Sequence, residues 1–323
     1  MINEKITDFI SKRLNIPEKG LIEKDILLSH LLFHLASDKS FFENYAFKGG
    51  TCLIKCYLDY YRFSEDLDFT YIDQKEFEGK SMNQIRKLIS DKIDEVANLL
   101  EKIAKPLDLR FKIDKQNKEH FQFGGSNAFV TFKLWYNSKE LSKETFIKVQ
   151  INYREKLNYE VKERDAKFII PKNLEKDFSF MYKEEADSLL MPVKIKSYDL
   201  KEILIEKIRA ILTRRGVKAR DFIDVYKIIK SENIKLENFK KEIIEKIIAM
   251  LRFEKYQANL DKKQSMDFSV EINEKQIIKE EERILVVPLP EDFEKFLSEF
   301  KIFLNEIISS IKTKTKNINI TSS

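Results

Sequence analysis

The sequence predicts an α+β protein, with a mixed α/β N-terminal half followed by a helical C-terminal half. Three observations carry this. Segment 146–153 alternates strictly: Ile147, Val149, Ile151 and Tyr153 fall on one face, Lys148, Gln150 and Asn152 on the other, as in a half-buried strand. Segment 81–104 is a long amphipathic helix by its spacing of apolar residues. Beyond about residue 195 only helical patterns remain. The expected domains are therefore 1–195 and 196–323.

Taken in order, residues 1–45 read as two helices broken around 15–20. Lys48-Gly49-Gly50-Thr51 reads as a turn, and 51–60 as a helix, since Leu53, Ile54, Tyr57 and Leu58 share one side. Segment 63–71 reads as a strand. Further strands are expected at 107–113, 128–136 and 146–153, with Gly124-Gly125 as a hairpin turn rather than a phosphate loop. A helical hairpin broken at Gly216 is expected over 199–230, with more helix at 236–253 and 291–311. Residues 255–283 are polar and carry no clear period, and a frayed tail is expected from 312.

Composition narrows the functional classes. The 323 residues are 43% hydrophobic and 12% aromatic, enough for a substantial core. The net charge of +5 permits a nucleic-acid partner without requiring one, because lysines are spread along the chain. Cys52 and Cys56 are the only cysteines, one helical turn apart, so a disulfide framework is excluded and a cytoplasmic setting is expected. They read as small buried hydrophobes, with Cys52 the one whose pKa a helix N-terminus would lower. The first twenty residues carry Glu4, Lys5, Asp8, Lys12 and Arg13, unlike a secretory leader. The greasiest stretch, 26–36, is interrupted by Ser29, His30 and His34 and falls short of the ~20 apolar residues of a membrane span. His30 and His34 are read as packing residues, because zinc needs at least one further ligand.

The chemistry is expected at Arg62-Phe63-Ser64-Glu65-Asp66-Leu67-Asp68-Phe69. On a strand Asp66 and Asp68 share one face, about 7 Å apart, and Leu67 and Phe69 anchor the other. Two such carboxylates can hold Mg²⁺ for phosphoryl transfer. The pair alone means little, since about nine acid-x-acid pairs arise by chance in so acidic a chain. Context lifts it. Gly49-Gly50-Thr51 opens a helix about fifteen residues upstream, where exposed amides accept anions and glycine lets a phosphate approach. Ser64 is expected on the same face as the aspartates. The plain alternative is a helix–strand unit with a glycine turn and a solvated acidic face.

Lys48-Gly49-Gly50-Thr51 followed by Arg62-Phe63-Ser64-Glu65-Asp66-Leu67-Asp68-Phe69 resembles the signature of the AbiEii/AbiGii toxin family of nucleotidyltransferases. That family lies in the DNA polymerase β-like superfamily and includes the MenT toxins. A second block, Glu206-Lys207-Ile208-Arg209-Ala210 followed by Arg220-Asp221-Phe222-Ile223-Asp224, is similar to the family's Lys-x-x-Ala … Arg-Asp-x-x-Asp element. The resemblance spans roughly 20–230. It implies a nucleotidyltransferase-type mixed sheet flanked by helices, and transfer of a nucleoside monophosphate from an NTP to an acceptor such as a tRNA 3′ end. It also implies a toxin of a toxin–antitoxin or phage-defence pair, with a cognate antitoxin and no membrane. By resemblance Asp66 and Asp68 hold Mg²⁺ or Mn²⁺, while Gly49, Gly50, Thr51, Ser64 and Arg62 contact the nucleotide. Lys207 binds the triphosphate, and Asp221 is base or orienter, supported by Arg220 and Asp224.

Physically, Lys207 and Asp221 stand on either side of the Gly216 break and can face each other, and Asp221 and Asp224 share one helix face. A solvent-facing Lys207 is expected, in a cleft between the halves. An N-cap and surface ion pairs are the plain alternatives. The basic run Arg209, Arg214, Arg215, Lys218 and Arg220 reads either as solvated charge or as a phosphate contact. The superfamily's third acid has no counterpart on the polar face of 146–154. Gln150 stands there and offers only a carbonyl. That gap supports a competing reading, a nucleotidyltransferase fold kept as a binding module without chemistry. A kinase-like phosphotransferase is a third reading, but no kinase motif set is present.

Overall fold

The computed structural model describes residues 4–124, 128–251, 254–265 and 282–321. It forms two compact units: 1–155 with 160–199, and 156–159 with 200–323.

The first unit opens with α1 (Glu4–Leu14), α2 (Lys19–Ser37) and α3 (Lys39–Asn44). Asn15 takes a left-handed φ of 53° and ends α1, where the break was expected. The sheet strands are β1 (Tyr45–Lys48), β2 (Asp66–Tyr71), β3 (Phe121–Gly124), β4 (Phe129–Ser138), β5 (Lys143–Asn152), β6 (Lys162–Ala166) and β7 (Val193–Ser197). They form one seven-stranded mixed sheet in the order β3-β4-β5-β2-β1-β7-β6. β5 runs parallel to β2, and β1 runs antiparallel to it. The sheet, its flanking helices and the helical C-terminal region match the α+β class read from the sequence.

The alternation read at 146–153 holds. Ile147, Val149, Ile151 and Tyr153 are fully buried beside Leu67 and Phe69 of β2 and Phe132 of β4. Phe41 of α3 meets Phe69 edge-on at 4.9 Å, closing that face. The long helix is α4 (Met82–Ala104). Ser81 caps it and Gln84 returns the bond to the Ser81 amide, a full capping box.

Several expectations are corrected. Segment 107–113 is not a strand: only Arg110 bridges Trp135, because Asp108 sits in the left-handed region (φ 54°) and breaks the ladder. Gly124 ends β3 opposite Phe129, and Gly125 lies outside the described residues. The helix expected over 51–60 runs from Gly49 only to Tyr57, α-helical over Gly49–Cys52 and π-helical over Leu53–Tyr57. β1, β6 and β7 carry no pattern that the sequence reading recognised.

The second unit is helical. α5 (Leu200–Thr213) and α6 (Ala219–Glu232) form the expected hairpin, with Gly216 at φ 72° in the turn. α7 (Lys240–Leu251) and α8 (Glu254–Ser265) follow, and residues 266–281 of the ambiguous polar stretch lie outside the described residues. The last helix, α9 (Phe293–Thr321), runs through the tail expected to fray. Its Phe296 and Phe300 meet Tyr226 and Phe222 of α6 at 5.2 and 5.8 Å. Residues 156–159 are fixed within this unit. The buried Lys246 and Glu202 side chains lie 2.5 Å apart; Lys246 Nζ donates to the Lys156 carbonyl, and Glu202 accepts from the Asn158 and Tyr159 amides.

Candidate active site

Asp66 and Asp68 open β2 and share its polar face, each partly exposed, while Leu67 between them is buried. Register fixes their neighbours. Asp66 pairs with Lys148 of β5 and Asp68 with Gln150, so the polar face of β5 lies beside the carboxylates. Lys148 Nζ is 3.4 Å from Asp66 Oδ1. Gln150 donates its amide NH₂ to Thr131 at 3.0 Å, which leaves its carbonyl as an acceptor. Across β1, Lys48 is the partner of Asp68. Its ammonium lies 3.5 Å from Glu155, just past β5, which also accepts from Asn152 at 2.8 Å. The sequence places Lys48 in the glycine turn without a role and gives no sign of Glu155; a lone acid beyond a strand's end gives no periodic signal.

The glycine turn lies close against Asp68. Gly49 has a φ of +78°, and a side-chain carbon built on it would collide with the Asp68 carboxylate. One built on Gly50 would lie 2.6 Å from Arg62 Nη2 and 3.2 Å from Ser64 Oγ. Gly49 is therefore held to glycine, and at Gly50 a side chain would require Arg62 to shift, so the loop presents bare backbone next to the Asp68 carboxylate. Thr51 is buried. Its hydroxyl lies 2.8 Å from Ser64 Oγ and also bonds the Asp66 carbonyl, tying the helix start to β2. Arg62 is 1% exposed, and its Nη1 donates to the Phe63 carbonyl at 2.7 Å. Thr51 and Arg62 were both expected to contact the nucleotide. In the structure both side chains are buried: Thr51 bonds Ser64 and the Asp66 carbonyl, and Arg62 bonds the Phe63 carbonyl. Gly49, Gly50 and Ser64 remain accessible in part.

The donor set is all oxygen: two carboxylates with an amide carbonyl beside them. Hard divalent cations take such ligands. Among the described residues no group of three or more His, Cys, Asp or Glu is placed to hold a metal. Beside the two aspartates β5 offers Gln150 and Lys148 rather than an acid.

Cys52 is the buried hydrophobe read from the sequence, and its helix end does not activate it. It is fully buried, and burial followed by its hydrogen bond with Cys56 pushes its thiol well above the ordinary range, opposite to a helix-end effect. Iodoacetamide is expected to label Cys56 first, with Cys52 reacting only as the chain unfolds. Rapid labelling of Cys52 at neutral pH, read by mass spectrometry, would contradict this. Burial also lowers the pKa of His30 and His34, which favours neutral packing residues.

The second sequence block lies in the second unit. Lys207 on α5 meets Asp221 Oδ1 at 2.9 Å and Asp224 Oδ2 at 2.6 Å, both on α6. Arg214 Nη1 reaches Asp221 Oδ2 at 3.0 Å. The predicted juxtaposition across the Gly216 turn is present, and the i, i+3 aspartates share one cation. The expected solvent-facing Lys207 is corrected: its side chain is 11% exposed, and those of Asp221 and Asp224 are 2% and 0%. Burial alone would raise the Asp221 carboxyl. The Lys207 and Arg214 charges more than reverse this and hold it below the ordinary aspartate range. Of the basic run, Arg214, Arg215 and Lys218 are exposed, Arg220 is half-buried and Arg209 turns toward Glu206 at 4.0 Å.

A family profile described as "Nucleotidyl transferase AbiEii toxin, Type IV TA system" matches residues 30–314. The chain belongs to the AbiEii nucleotidyltransferase toxin family. Both motif blocks of this AbiEii chain fall inside the matched span. Among solved structures, JHP933 of Helicobacter pylori is 16% identical, with 95% of this chain and 100% of that chain covered and a TM-score of 0.42. MenT4, a nucleotidyltransferase toxin of Mycobacterium tuberculosis, is 16% identical, with 94% and 98% covered and a TM-score of 0.48. No curated protein matches the AbiEii chain significantly. Among the described residues no helix is long and apolar enough to cross a membrane.

Proposed function

We propose that this AbiEii chain transfers a nucleoside monophosphate from an NTP to the 3′ end of an acceptor RNA such as tRNA, releasing pyrophosphate. It would act as the toxin of a pair with a cognate antitoxin. The observation that supports the reading is the close approach of the Gly49 turn to the Asp68 carboxylate, where a side-chain carbon would collide; on this reading the turn would cradle phosphate beside a metal-ligand pair. Asp66 and Asp68 would hold Mg²⁺ or Mn²⁺, with the Gln150 carbonyl as a weaker third oxygen. Bound there, the ion supplies Lewis-acid stabilisation of charge on the transferred phosphate. The Gly49 and Gly50 amides and the Ser64 hydroxyl donate to the β- and γ-phosphates. Lys207 and the more exposed Arg214 offer positive charge to the triphosphate. Asp221 serves as orienter rather than base: it is closed to solvent, and its lowered pKa makes it a poor proton acceptor. Asp224 holds Lys207 from the other side.

The test is incubation of the full chain with each NTP labelled at the α or the γ position, total tRNA and Mg²⁺. Label from the α position is expected on RNA. Label arriving only from the γ position would indicate a phosphotransferase. No label from either would favour the binding-module reading, for which Gln150 in the place of an acid is the supporting observation.

A further inference from the structure

The polar face of the sheet continues past Asp66 onto β5 and β4. Two residues before Lys148 on that face is Phe146, and its partner on β4 is Trp135. With strands about 5 Å apart and about 3.3 Å per residue, Phe146 lies about 8 Å and Trp135 about 12 Å from Asp66, backbone to backbone. Both rings are half-buried. They meet at 4.7 Å between centroids, tilted by 59°.

This pair is set among cations. The ammonium groups of Lys133 and Lys148 lie 5.7 and 5.8 Å from the Phe146 centroid. The Arg110 guanidinium lies 5.6 Å from the Trp135 centroid and is held by Glu119 and Glu144 at 2.6 and 2.8 Å. The indole is also fixed in orientation, because Nε1 donates to the Glu119 carbonyl at 3.0 Å. Large aromatic rings on the polar side of a half-open sheet bury little of the core. Aromatic rings interleaved with lysines are what single-stranded nucleic acid requires: a face for each base and a charge for each phosphate.

We infer that this face of β4 and β5 binds the single-stranded 3′ end of the acceptor nucleic acid, with Phe146 and Trp135 stacking its bases and Lys133 and Lys148 meeting its phosphates. The inference rests on the reading that the acceptor hydroxyl reacts at Asp66 and Asp68. Distances of about 8 and 12 Å correspond to roughly two to four stacked nucleotides behind the reacting end.

Trp135 is the only tryptophan of the chain, so its emission reports this surface alone. The full-length protein is titrated with an oligoribonucleotide of about ten nucleotides, without divalent ion or NTP. Saturable quenching is expected, with log affinity falling against log salt at a slope of about −1.4 for two phosphate contacts. Phe146→Ala should weaken binding about 5- to 100-fold, and Phe146→Tyr should restore it. Lys133→Gln should reduce the slope by roughly 0.7. Absence of a saturable change in emission would overturn the inference. So would unchanged affinity in a folded Phe146→Ala variant, or equal affinity for a duplex of the same sequence. The two readings fail separately. Binding without transfer from any NTP removes the proposed reaction and leaves the surface. Transfer whose KM for the oligonucleotide is unmoved by Phe146→Ala removes the surface and leaves the reaction.

Discussion

Asp66→Asn and Asp68→Asn are each expected to reduce nucleotidyl transfer by about a thousandfold or more, which corresponds to roughly 4 kcal/mol of lost transition-state stabilisation. Asparagine keeps the shape of the side chain and removes the charge that holds a divalent ion. Stability should change little. Asp66 is 26% exposed, its ion pair with Lys148 is a partly solvated one, and such pairs contribute about 0–1 kcal/mol. Transfer of α-labelled nucleotide and thermal unfolding of the same preparations separate the two effects. Wild-type turnover in Asp68→Asn would remove the metal-site assignment. An equal loss of fold in both variants would make these aspartates structural. Lys148→Gln provides a contrast at the same place, since removing the competing ammonium should lower the concentration of Mg²⁺ needed for half-maximal transfer.

What the sequence disclosed about this site follows from where its signals are local. The strand carrying Asp66 and Asp68 alternates polar and apolar residues, and burial of Leu67 and Phe69 on one side forces both carboxylates to the other. β5 was legible for the same reason. The hairpin of α5 and α6 was legible because Gly216 interrupts two helical periods. Other elements are set by partners far along the chain. β1 has four residues and becomes a strand by lying between β2 and β7. β6 reads Lys162-Glu163-Arg164-Asp165-Ala166, with no apolar face, because it is an edge strand whose charges protect it from further pairing. The same limit applied to side-chain burial. Nothing near Arg62 or Thr51 in sequence shows that both lie under the glycine loop. Nor does a lysine facing an aspartate across the Gly216 turn disclose that the two aspartates enclose and bury it.

That enclosure sets the second large effect. Lys207→Met is expected to destabilise the chain by about 3–5 kcal/mol, because it leaves the carboxylates of Asp221 and Asp224 buried without the cation they share. Against the roughly 5–15 kcal/mol that keeps a domain folded, this is a large fraction. A fall in Tm on the order of 10 °C follows for a protein of this size. The pH dependence identifies the cause. In the wild type Asp221 titrates below its unfolded value, so its contribution is complete above about pH 4 and is lost as pH falls through the folded pKa. In Lys207→Met the larger part of that contribution is gone, with Arg214 left as the cation beside Asp221, and taking up a proton becomes more favourable. The gap in Tm between the two proteins should therefore be widest near neutral pH and should narrow as pH drops below about 4. Lys207→Met with Asp224→Asn should recover part of the loss, since the second change removes one of the stranded charges. A folded Lys207→Arg protein then gives the cleaner measure of function: a guanidinium keeps the charge but not the point geometry that two aspartates enclose. If Lys207→Met melts with the wild type at neutral pH, the cluster contributes nothing to the fold, and any loss of transfer in that variant belongs to the triphosphate alone.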